Sequence, residues 1–162
     1  MLMGSRLRFW LALLPCAVLL CGCDLLDCTG TSSVKLRFQF YDSTGSTCYL
    51  DDSLTVLAAG TDSILLNRKM MASEVELPMS YMLDADTFVL RHAGEDYVEI
   101  DSLIVKKDNF QYFESPDCPT RVMHTISDVH CSDTWIDSVK ITERKVGFED
   151  VVHLKIYVYV KD

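Results

Sequence analysis

Glycine and proline are scarce in this 162-residue chain, at 7 and 4 residues. That excludes a collagen-like repeat and, with 49% hydrophobic residues, a disordered polar chain. Positive charge is also short: 15 Lys and Arg against 24 Asp and Glu leave a net charge of −9. A nucleic-acid ligand, whose phosphates demand clustered Lys and Arg, is excluded with it. No apolar run reaches the roughly 20 residues of a membrane-crossing helix. Gly-x-Ser-x-Gly, His-Glu-x-x-His, Cys-x-x-Cys and any phosphate-cradling Gly-rich loop are all missing. The chain therefore reads as non-enzymatic, with no cofactor, and as long enough for one domain only.

What is present begins with an address. Arg6 and Arg8 precede about a dozen apolar residues, Phe9 to Leu20, interrupted by Pro15. A short apolar stretch behind a basic start is a signal-peptide pattern. Leu20-Cys21-Gly22-Cys23 follows, a bacterial lipobox: a small residue at the cleaved bond, then a cysteine whose thiol takes a diacylglycerol. Cys21 follows bulky Leu20 and Cys28 follows Asp27, so Cys23 is the expected lipidation site. Several acyl chains on one residue hold a protein to a bilayer far more firmly than one chain does. Residues 1–22 form the expected signal peptide, 23–33 a lipidated linker, and 34–162 a single domain. Cleavage removes two Arg and no acid, taking the charge from −9 to −11. The expected location is the bacterial cell envelope, lipid-anchored to the outer membrane, with the domain facing the periplasm or the medium.

Seven cysteines then sort themselves. Cys16 and Cys21 leave with the signal and Cys23 takes the lipid. Cys28, Cys48, Cys118 and Cys131 remain in an oxidising compartment, which implies two disulfides among three possible pairings. Zinc ribbons present Cys-x₂₋₄-Cys pairs, and the gaps of 20, 70 and 13 here do not match.

The body reads as strands. Residues 23–162 hold 32 Val, Ile and Thr but only five Ala, a balance that favours a pleated, half-buried surface. Residues 34–40 and 152–160 alternate apolar and polar at every step. Further strands are expected at 54–59, 63–66, 75–77, 87–92, 97–105, 110–113, 121–131 and 136–142. Turn chemistry separates them, as at Asp42-Ser-Thr-Gly-Ser46 and Lys107-Asp-Asn109. About nine or ten strands point to an all-β antiparallel, immunoglobulin-like sandwich, with a small β-barrel as the alternative.

Candidate chemistry is thin. His124, Asp128 and His130 share one face of an expected strand, with His153 on another. Two histidines six residues apart on a strand sit about 20 Å from each other, too far to share an ion. Asp84-Ala-Asp86 is a fragment of a calcium loop without its glycine or closing Glu. Asp51-Asp52, Glu95-Asp96 and Glu149-Asp150 fall in expected turns. Tyr97, Phe110, Tyr112, Phe113, Trp135, Tyr157 and Tyr159 could stack on a sugar or simply support one another across strands.

The chain resembles a family of small Bacteroidota lipoproteins of unknown function. The likeness is carried by Cys23-Asp-Leu-Leu-Asp-Cys28, Val34 to Asp42, Asp52 to Val56, Gly60 to Ile64, Phe113 to Cys118 and Trp135 to Val139. It implies an exported β-rich domain in which Cys28 pairs with Cys118, and leaves Cys48 and Cys131 as an added second bridge. The functional expectation is a membrane-anchored structural or protein-interaction module. The alternative is a carbohydrate- or peptide-binding accessory lipoprotein, recognisable by aromatics lining a groove beside paired carboxylates.

Overall fold

A computed structural model describes residues 34–159 of the protein. The expected signal peptide and linker, with Cys23 and Cys28, lie outside the described residues. Ten strands occur in two sheets: β1 Lys35–Tyr41, β2 Ser53–Ala58, β3 Ile64–Lys69, β4 Glu74–Pro78, β5 Ala85–Ala93, β6 Val98–Tyr112, β7 Arg121–Cys131, β8 Ile136–Ile141, β9 Lys145–Val146 and β10 Leu154–Val158. One sheet runs β4-β1-β10-β8 and the other β3-β2-β5-β6-β7-β9. The expected all-β sandwich is what forms. Among the described residues no helix is long and apolar enough to cross a membrane.

Alternation explains the core. Leu36, Phe38 and Phe40 of β1 and Leu154 and Ile156 of β10 are fully buried, while the residues between them face out. Leu54, Val56, Leu90, Leu103, Val105 and Ile126 of the six-stranded sheet join them in a single apolar cluster. Facing sheets of this kind interdigitate side chains across about 10 Å. One pairing departs from the antiparallel expectation: β1 runs parallel to β10, with Phe38 opposite Leu154 and Phe40 opposite Ile156. The first and last strands thus lie side by side at the sheet centre.

Two local readings are corrected. The expected turn at residues 107–109 is not a turn; β6 runs through it, and the expected strands 97–105 and 110–113 are one. Lys107 is fully buried and its ammonium donates to the Ser80 and Leu83 carbonyls at 2.6 Å each and to Asn109 Oδ1 at 3.0 Å. Asp86 Oδ2 stands 3.4 Å away and accepts from the Ser80 amide. Polar residues that resemble turn chemistry are therefore partners of an internal network that pins the β4–β5 loop.

The second correction concerns His124, Asp128 and His130. The β6–β7 register passes from Lys106 opposite Asp128 to Lys107 opposite Ile126, leaving Ser127 as the extra residue of a bulge. A bulge reverses which residues face inward. His124 and Ile126 are buried before it, whereas Val129 and Cys131 pack on the core after it. Asp128 and His130 therefore face solvent, bonded to each other at 2.8 Å, and His124 lies inside, its Nδ1 2.7 Å from Asn109 Oδ1.

Cys48 and Cys131 are free thiols, which corrects the second bridge. Cys48 follows β1, its amide donating to the Phe40 carbonyl, whereas Cys131 ends β7 opposite Leu103. Each packs on the apolar core instead. Cys118 is disulfide-bonded.

Candidate functional site

At one end of the sandwich lies a pocket of about 330 Å³. Its wall is built from the β1–β2 connection (Cys48 to Asp52), β5 (His92), the start of β6 (Tyr97, Glu99), the entry to β8 (Trp135) and the end of β10 (Val158, Tyr159). Pockets of this size accept small ligands or single side chains of a partner.

Trp135 forms the floor. It is 3% exposed, with its ring 6.0 Å from Phe40 and 5.2 Å from His92. His92 in turn meets Tyr97 edge-on at 5.6 Å, so four rings run from core to rim. What fixes the floor is Asp101 of β6, itself 1% exposed. Its carboxylate accepts from the Ser132 hydroxyl at 2.7 Å and from the backbone amides of Thr134, Trp135 and Ile136 at 2.9, 2.8 and 2.8 Å. Burial alone would push this carboxyl up, but the four donors outweigh it and hold it below its usual range. The Trp135 carbonyl then accepts from the Tyr159 amide at 3.0 Å, which sets the opposite wall.

The rim is acidic and aromatic. Tyr97 donates its phenol to Asp52 Oδ2 at 2.5 Å, and that hydrogen bond, with some burial and the neighbouring carboxylates, pushes the phenol up to about 12. Gly94 makes the contact possible: a Cβ there would stand 2.5 Å from the Tyr97 ring and 3.0 Å from Asp52 Oδ2. Glu99 sits opposite His92 in the β5–β6 register, its carboxylate 4.0 Å from the imidazole Nδ1. Tyr49 and Tyr159 stand open at the mouth. The Cys48 thiol is pushed up by burial first and then by Asp42 and Asp51, so it stays protonated and poorly nucleophilic.

Of the expected aromatics, Tyr97, Trp135 and Tyr159 converge here, together with Asp51 and Asp52. The others do not. Tyr112 pairs with Phe148 at the far end of the β6–β7 hairpin, beside exposed Phe110 and Phe113. Tyr157 packs on Tyr41 on the outer face, separated from Tyr159 by a register shift after Tyr157. Asp86 is committed to the Lys107 network, and His153 is buried, its Nδ1 accepting from the Arg37 amide at 3.0 Å. Among the described residues, no group of three His, Cys, Asp or Glu side chains is placed to hold a metal ion. Tyr49, His92 and Glu99 carry no sequence signal for a site beyond the neighbouring Asp51-Asp52 pair, and Cys48, expected in a bridge, lines the pocket instead.

A family model described as a family of unknown function (DUF6452) matches residues 53–158. No curated protein matches the chain, and no solved structure does.

Proposed function

We propose, for a chain that belongs to this family of unknown function, a non-enzymatic binding module of the bacterial envelope whose ligand site is the aromatic, acidic pocket beside Trp135. A lipid on Cys23 would hold the domain to the outer membrane. The acidic body would stand away from the anionic surface on its short linker, facing the periplasm or the medium. Protein or glycan partners would reach it there. The observation that carries the reading is the gathering of Tyr49, Tyr97, Trp135 and Tyr159 around Asp51, Asp52 and Glu99 from four separate segments. It favours the ligand-binding alternative over a purely structural module, because a flat polar face would have supported the latter.

A non-enzymatic role is supported by the state of the pocket's reactive groups. Asp52 is occupied by the Tyr97 phenol, and the half-buried Cys48 thiol is held protonated by burial and by the Asp42 and Asp51 carboxylates. Neither arrangement supplies the nucleophile–base pair that covalent catalysis requires.

Screening a neutral, acidic and basic fragment panel by nuclear magnetic resonance on the isotope-labelled full-length protein in a neutral detergent tests the site. Perturbed resonances should centre on His92, Tyr97, Glu99, Trp135 and Tyr159. A panel whose members perturb only other regions would refute the assignment.

A further inference from the structure

The pocket's composition points to the chemistry of its occupant. Its wall carries three carboxylates, Asp51, Asp52 and Glu99, and neither Lys nor Arg. Just outside stand Asp133 and Asp137, close enough to act on the Tyr159 phenol, which burial, and then these two carboxylates, push above its ordinary value. Cys48 and Tyr97, on two other sides, are pushed upward in the same way, by burial and by the Asp52 hydrogen bond first and by neighbouring carboxylates in addition. Neighbouring carboxylates thus add to burial and hydrogen bonding at three separate points of the wall. Ring faces of Tyr and Trp add to it, since the aromatic quadrupole is negative above the ring. Finally, the Trp135 Nε1–H is buried and has no hydrogen-bond partner, in a floor residue that is 3% exposed. A buried donor left unmatched is costly, and a ligand carrying an acceptor would relieve it.

Resting on the reading that this pocket is the ligand site, we propose that it takes an organic cation: the Lys or Arg side chain of a partner polypeptide. An ammonium or guanidinium group compensates the carboxylates and lies against the rings. A neutral sugar could stack on Tyr49 or Tyr159 and accept from the indole. It would bring no positive charge to the carboxylates.

Isothermal titration of the full-length protein in neutral detergent separates these cases, with five probes: the Nα-acetyl methylamides of lysine, arginine and norleucine, butylammonium, and cellobiose. The lysine or arginine probe should bind, and its neutral norleucine counterpart should bind at least about tenfold more weakly, as expected for loss of a charge-assisted contact. Glu99→Gln and Asp51→Asn, each isosteric with the native side chain, should weaken the cationic probe about fivefold or more while the melting temperature stays within about 2 °C. Raising the salt should weaken it further. Butylammonium distinguishes the source: equal affinity with the lysine probe would keep the cation and overturn the polypeptide residue. Cellobiose or the norleucine probe binding as tightly as lysine would overturn the cation while leaving the pocket a ligand site. Absence of binding by every cationic probe overturns the proposal, and the fragment panel then decides separately whether the pocket binds anything.

Discussion

Acidification should destabilise this fold through His124, and the size of the effect follows from its surroundings. The imidazole is fully buried. Asn109 Oδ1 already accepts from the Lys107 ammonium at 3.0 Å, and the Asn109 amide nitrogen donates to the Leu83 carbonyl at 3.0 Å. His124 Nδ1, 2.7 Å from the same oxygen, must therefore carry the proton, leaving Nε2 bare. Protonating Nε2 would bury a second cation beside Lys107. Burial first, and the Lys107 charge second, lower the imidazole from 6.5 to about 4. A lowered folded value means the unfolded chain binds the proton more tightly, so stability is full above pH 6.5 and falls as the pH drops from 6.5 toward 4. At 1.36 kcal/mol per pH unit, the loss from this residue reaches about 3 kcal/mol at pH 4. His153, lowered chiefly by burial and raised in part by the Arg37 hydrogen bond, acts in the same direction. Urea unfolding at half-unit pH steps would measure the slope. His124→Gln keeps an amide donor for Asn109 and cannot titrate, so its profile should be flatter than wild type between pH 6.5 and 4. Parallel profiles would refute the reasoning.

Other expectations follow from single contacts. Asp101→Asn removes the charge that four donors converge on and should cost about 2–4 kcal/mol in urea unfolding; a loss under 1 kcal/mol would show that the β7–β8 connection is held by something else. Gly94→Ala should force Tyr97 away from Asp52, so that the phenol, followed in tyrosine-labelled protein by alkaline titration, falls from about 12 toward the ordinary value of about 10. An unchanged titration would mean that the loop yields instead. Alkylation without reduction, read by mass spectrometry after unfolding, should modify Cys48 and Cys131 and spare Cys118; protection of the first two would restore the bridge between them. Cys23→Ala should abolish labelling with an alkyne-tagged palmitate, and undiminished labelling would refute the anchor.

Strand positions were legible wherever alternation was uninterrupted, as in β1 and β10, because one buried face leaves a period of two in the sequence. Pairing was not, since the parallel contact of β1 with β10 joins residues more than a hundred positions apart and has no local mark. Errors arose where polar residues turn inward. Lys107 and Asn109 look like turn chemistry and are core partners. Ser127 carries no sign of being a bulge, yet it alone separates buried His124 from exposed Asp128 and His130. The two-residue β9 exists because the Arg144 carbonyl and guanidinium bond to Ile126, a tertiary cause that no short window contains. The pocket is half legible in the sequence, since Asp51-Asp52, Tyr97, Trp135 and Tyr159 are marked by their residue types. His92 and Glu99 join them only because β5 and β6 pair in one register.

Trp135 offers the most direct measurement of the central claim. The sequence has two tryptophans; Trp10 lies in the expected signal peptide, so Trp135 would be the only indole in the mature protein. Its emission should change saturably as the protein is titrated with the Nα-acetyl methylamide of lysine or arginine, and Tyr159→Ala should weaken that response. Emission that stays constant under every probe and every pocket-directed fragment would contradict the claim that this pocket is a binding site.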